Sequence, residues 1–157
     1  MAICPGCGFN LSQVRVPMRL RLEKQDTVND FAELLSESER YQLAERLHAL
    51  SERMGGSLAL ATVPSVAPLK PSEYAFWLYH YWQLPANGLL LLIALKERRI
   101  ESEVGLAWET FLGDVETGEA LQAAVPLLKE GRSAEGLLIA LQMIEQLYQA
   151  RQEAQHA

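Results

Sequence analysis

The sequence predicts an α/β protein built on a small mixed sheet, and three observations carry the prediction. Two apolar runs of strand length, SLALATV at 57–63 and the leucine-rich stretch at 89–95, flank an aromatic helical segment. That is a strand–helix–strand unit, whose strands are expected to be parallel with a right-handed crossover. A third, polar strand at 99–105 follows so closely that only an antiparallel hairpin is open to it.

Composition sets the class. With 157 residues, 49% of them apolar and 22% charged, the chain suits one globular domain with at most a small appendage. A net charge of -6 and arginines scattered among acids argue against a phosphate-neutralising surface, so nucleic acid is not an expected partner. No apolar run reaches the roughly 18 residues of a membrane span. The start, MAICPGCGFNLS, lacks the basic and apolar regions of a secretory signal, so the expected compartment is the cytoplasm.

Taken in order, residues 1–26 read as a cysteine-glycine knuckle followed by an extended arm. Val14, Val16, Met18, Leu20 and Leu22 alternate with strand period, and Pro17 moves that strand to an edge. The main domain is expected over 27–150, with a frayed tail at 151–157. Ser36 and Glu39 form a capping box, and Leu43, Leu47, Leu50 and Met54 recur at helical spacing until Gly55-Gly56 stops the helix. His48 falls off that stripe, which places it on the rim.

After the first apolar strand, Ser72 is the expected cap of a helix whose stripe is Tyr74, Trp77, Leu78, Tyr81 and Trp82, buried against the sheet. Residues 96–98 form the hairpin turn, and the polarity of 99–105 assigns that strand to an edge, where charge discourages pairing with other chains. Helices follow at about 107–112, 117–129 and 133–151. Leu137, Leu141, Ile144 and Tyr148 mark the buried face of the last.

The conventional catalytic sets are thin. The three histidines, His48, His80 and His156, are dispersed, and neither a phosphate-cradling glycine loop nor a nucleophile elbow occurs. Cys4 and Cys7 in CPGCGF are half a zinc ribbon. Zinc held there needs further ligands, from histidines, a partner protein or the same cysteines of a second copy; the last would make a homodimer through the N-terminal arm.

Four strings occur in a telling order: VNDFAELLSESER from Val28, GGSLALATV from Gly55, NGLLLLIALKERRIESEVGLAWETFLGD from Asn87, and VPLLKEGRSAEGLLIAL from Val125. Together they resemble the TPM domain, also called the TPM phosphatase domain, over residues 28–147. The resemblance implies a three-layer α/β/α sandwich. It also implies calcium binding, with acid phosphatase activity in some members and assembly or repair roles in others. Carried over, Asp30 matches the family's first aspartate and Glu97 the second acid of the turn after the buried strand. Arg98 matches the turn arginine; Glu103, Gly105, Glu109 and Asp114 match the signature that follows.

The departures are as specific. Lys96 stands where the family commonly has an aspartate, and Leu106-Ala107-Trp108 replaces tyrosine-glycine-leucine. Calcium takes six to eight oxygen donors, and an ammonium group removes one and repels the ion. Two readings follow. In one, the chain is a non-catalytic binding or assembly module for a protein partner, with an eroded cation site and with Lys96 and Arg98 receiving an anionic group. In the other it is a calcium-dependent, acid-phosphatase-like hydrolase in which Asp30, Glu97 and Asp114 meet, Asp30 and Glu97 holding the metal. Simpler roles stay open beside both: Asp30 as a helix cap, Glu97 and Arg98 as a solvated turn, Glu103 as a solvent-facing edge residue, Asp114 with Thr117 as a helix start.

Overall fold

A computed structural model describes residues 15–156, with Asp114 and His156 described by backbone alone. The elements are β1 (Val28–Asp30), α1 (Glu37–Met54), β2 (Ser57–Val63), α2 (Pro71–Tyr81), β3 (Gly88–Ala94), β4 (Arg99–Val104), α3 (Asp114–Lys129) and α4 (Ser133–His156), with a 3-10 turn at Leu106–Trp108. The sheet order is β1-β2-β3-β4. The first three strands are parallel, and β4 is antiparallel to β3. This is the mixed α/β/α sandwich that the sequence and its family likeness imply.

The layers follow from strand alternation. Leu58, Leu60, Leu89, Leu91 and Ile93 face one way, into a cluster with Leu43, Leu47 and Leu50 of α1 and Leu137, Leu141 and Ile144 of α4. Ala59, Ala61, Val63, Leu90, Leu92 and Ala94 face the other way, into a cluster with Tyr74, Leu78 and Tyr79 of α2. The alanines on this second face leave depth for the bulky aromatic helix. Strands covered on both faces read as unbroken apolar runs.

Several local expectations hold. The Ser36 hydroxyl accepts from Glu39 N–H (3.2 Å), and the Glu39 carboxylate accepts from Ser36 N–H (2.8 Å), closing the capping box. Gly55 ends α1 at φ 72°. The hairpin turn and the edge position of β4 are as read.

Other expectations are corrected. Residues 18–20 form a 3-10 turn where a strand was expected, the first turn following directly on Pro17. The arm packs back onto α2 through the polar tips of aromatic residues. Tyr74 OH donates to the Leu20 carbonyl, Trp82 Nε1 to the Leu22 carbonyl and Tyr81 OH to Glu23, each at 2.7 Å. Ser72 does not cap α2: Pro71 opens the helix, and the Glu73 carboxylate accepts from Lys70 N–H instead (3.0 Å). The buried face of α2 includes Tyr79, while Tyr81 lies at the surface. α3 begins three residues before Thr117, and α4 runs on to His156, past the expected end at 151. The cysteine knuckle and its zinc reading lie outside the described residues.

Candidate functional site

The strand exits build one edge of the sheet. Asp30 ends β1 opposite Thr62 near the end of β2, and β3 ends at Ala94 opposite Val63. The turn 95–98 follows at once. In open α/β sheets, ligands bind outside the carboxyl ends of the strands, so this is the edge to inspect.

Asp30 organises its own loop. Its Oδ1 accepts from Thr62 Oγ1 (2.6 Å) and Leu34 N–H (3.0 Å), and its Oδ2 accepts from Leu35 N–H (2.9 Å). Thr62 is fully buried and also accepts from Ala32 N–H (3.1 Å). The carboxylate therefore closes the turn between β1 and α1. It is a cap, as one reading has it, but of a loop ahead of the helix; Ser36 caps the helix itself.

Glu97 does the same for the next loop. Its carboxylate accepts from Ser65 Oγ (2.7 Å) and from Val66 N–H (3.2 Å), while Lys96 N–H donates to the Pro64 carbonyl (2.9 Å). The turn after β3 is thus sewn to the loop after β2. Partial burial pushes the Glu97 carboxyl up, but the bonds from Ser65 and Val66, with Lys96 beside it, outweigh that and hold it below the usual carboxylate range. A carboxyl lowered in the folded state contributes stability that is present above its unfolded value and lost as pH falls through the folded one. Acid unfolding of the wild type should therefore steepen below about pH 4.5, and Glu97→Gln should flatten that limb in a urea-midpoint series against pH.

Lys96 and Arg98 are exposed on the same turn. Arg98 has φ 54°, and Glu33, in the loop that Asp30 closes, also has φ 54°. Left-handed backbone costs a non-glycine residue on the order of 1 kcal/mol, and both positions at this edge carry charged side chains.

The remaining predicted residues stand elsewhere. β4 runs from Arg99 away from this edge, so Gly105, Glu109 and the start of α3 at Asp114 lie towards the opposite end of the sheet. Asp30 and Glu97 share an edge; Asp114 does not join them. Glu103 is partly buried; burial, with the Glu103 carboxylate as the smaller cause, pushes the Tyr79 hydroxyl up to about 12. Among the described residues, no three His, Cys, Asp or Glu side chains gather as a metal ion requires. The two acids of the edge alone fall short of the six to eight oxygens that calcium takes.

Sequence reasoning missed Thr62, Ser65 and Asn29. Asn29 is buried, its side-chain oxygen accepting from Gln25 N–H (2.7 Å) and its amide donating to the Leu60 carbonyl (3.1 Å). The signal was present: a hydroxyl residue at the end of a buried strand and another just beyond it stand out in an apolar run.

This fold and edge define a class: a small α/β/α domain with a four-stranded mixed sheet and acid-bearing strand exits. The model of the TPM domain family matches residues 28–147, and the chain belongs to that family. Solved structures agree on the fold. The N-terminal domain of a protein from P. gingivalis is 24% identical, with a TM-score of 0.72 over 94% of this chain and 92% of that one. The N-terminal domain of the cg2496 protein from Corynebacterium glutamicum is 19% identical, with a TM-score of 0.65 over 78% and 79%. The BA42 protein from Bizionia argentinensis is 13% identical, with a TM-score of 0.65 over 76% and 84%. No curated protein matches the sequence. No helix among the described residues is long and apolar enough to cross a membrane.

Proposed function

We propose that this TPM domain is a non-catalytic binding module whose cation site is eroded, and that its strand-exit edge receives an anionic group of a protein partner at Lys96 and Arg98. One observation carries the reading: the carboxylates of Asp30 and Glu97 are occupied by donors within the protein, Leu34, Leu35 and Thr62 for the first and Ser65 and Val66 for the second, while two exposed cations stand on the turn that holds Glu97. Lys96 supplies a point charge and Arg98 a planar fork suited to carboxylate or phosphate. A metal at this edge would have to pull both acids from those bonds and sit beside an ammonium group.

A calcium-dependent, acid-phosphatase-like hydrolase is the second reading. What favours it is the position of Asp30 and Glu97, both at the strand exits. In that scheme the metal would hold phosphate oxygens while a carboxylate orients water.

Titration calorimetry with calcium chloride, run beside turnover of p-nitrophenyl phosphate at acid and neutral pH, separates the two. The binding-module reading expects no saturable calcium heat and no turnover. Saturable calcium binding, with turnover that disappears in Asp30→Ala, would establish the hydrolase in its place.

A further inference from the structure

Among the described residues, β4 is an edge strand with no strand on its outer side. Gly105 N–H donates to the Gly88 carbonyl (2.8 Å), which fixes the phase of the ladder. Arg99, Glu101 and Glu103 then exchange hydrogen bonds with Ala94, Leu92 and Leu90. The N–H and C=O groups of Ile100, Ser102 and Val104 point away from β3, and no backbone group among the described residues meets them.

This edge is recessed. Ile100 to Val104 are only partly exposed, because α2 and α3 both lie against β4. Between the helices runs a cleft of about 760 Å³, within the range of roughly 300–1,000 Å³ that ligand sites occupy. Phe76 of α2, Ile100 of β4 and Leu121 and Val125 of α3 give it apolar walls. Arg98 and Lys129 stand at the hairpin end, outside the ion pairs of the described residues.

We infer that this cleft binds an extended segment of a partner protein, which adds to the sheet as a fifth strand beside β4. The recognition is by backbone: an added strand satisfies the outward groups of Ile100, Ser102 and Val104, and alternate side chains enter the apolar walls. An acidic residue at the end of the segment nearest the turn meets Arg98 and Lys129. The inference rests on the binding-module reading and supplies its partner chemistry.

A second copy of this chain fits poorly. With the outward residues paired symmetrically about Ser102, Glu101 of one copy lies opposite Glu103 of the other, and like charges directly opposite each other destabilise a sheet. Flanking helices also leave room for one strand more readily than for a whole domain.

Selection from a library of randomised extended peptides of about ten residues, displayed on phage against the full chain, tests this. Gly118 of α3 lines the cleft, and a Cβ there meets nothing within 4 Å, so Gly118→Phe fills the cleft without disturbing the core. The expected result is enrichment of peptides with alternating apolar residues and a terminal acid. Their binding should fall about tenfold or more in Gly118→Phe, and they should slow amide exchange at Ile100, Ser102 and Val104. Arg98→Glu with Lys129→Glu should shift the selection towards basic ends. The inference is overturned if no peptide is enriched, if enriched peptides bind Gly118→Phe equally, or if concentrated protein alone protects those amides as a dimer. Gly118 is remote from Asp30, so failure here leaves the calcium and turnover result untouched, and the reverse also holds.

Discussion

Replacing Gly105 by alanine should lower the thermal midpoint by roughly 6–12 °C, the equivalent of about 3 kcal/mol for a domain of this size. A Cβ at Gly105 would overlap the Ala86 carbonyl and press on the Tyr79 hydroxyl. Neither can step aside. Ala86 is backbone, and its carbonyl accepts from Ala107 N–H (3.0 Å), while Tyr79 OH donates to the Pro85 carbonyl. Gly105 also holds the last rung of the β3–β4 ladder through Gly88. Gly118→Ala provides the opposite sign: with open space around it in a helix, the change should raise stability by up to about 1 kcal/mol. Differential scanning calorimetry of both variants checks the pair. If Gly105→Ala melts with the wild type, close approach is not what this position requires.

The same residue shows what the sequence could and could not disclose. Glu-Val-Gly was legible as part of a family signature, but its reason was not, because the clash is with Ala86 and Tyr79 across a loop and a helix. Gly55-Gly56 reads as one helix stop, and in the structure the pair divides the work. Gly55 takes the left-handed turn, while Gly56 lets Trp108 and the Asn87 carbonyl pack close.

The long strands were legible from their apolar runs and the edge strand from its charge. β1 was not: Val28–Asp30 is too short and too polar for periodicity to register, and it is recognised only by pairing with Leu60, Ala61 and Thr62. The candidate site divides similarly. Asp30, Lys96, Glu97 and Arg98 could be named in advance through the family likeness, which assigns acids and cations by position. What occupies the acids could not, because the donors at Leu34, Leu35 and Val66 are backbone amides, which every residue but proline possesses.

Those amides make Asp30→Ala the other large expected effect. The substitution removes one acceptor for Leu35 N–H and one shared by Thr62 Oγ1 and Leu34 N–H. Hydrogen bonds to a charged group contribute about 1.5–3 kcal/mol each, but the loop can relax and admit water to part of them. A net loss of about 3 kcal/mol is therefore expected, or roughly 6–12 °C. Asp30→Asn should lose about half as much, because its carbonyl oxygen can keep the Thr62 and Leu34 bonds while its amide faces Leu35 N–H. A metal-ligand role predicts a further effect: calcium binding only the folded chain would raise the wild-type midpoint, by about 2.7 kcal/mol at a hundredfold excess over its Kd, and would not rescue Asp30→Ala. The expected scan shows both substitutions destabilising in that order, with calcium moving neither them nor the wild type. A calcium-dependent rise confined to the wild type would return Asp30 from loop keystone to ligand.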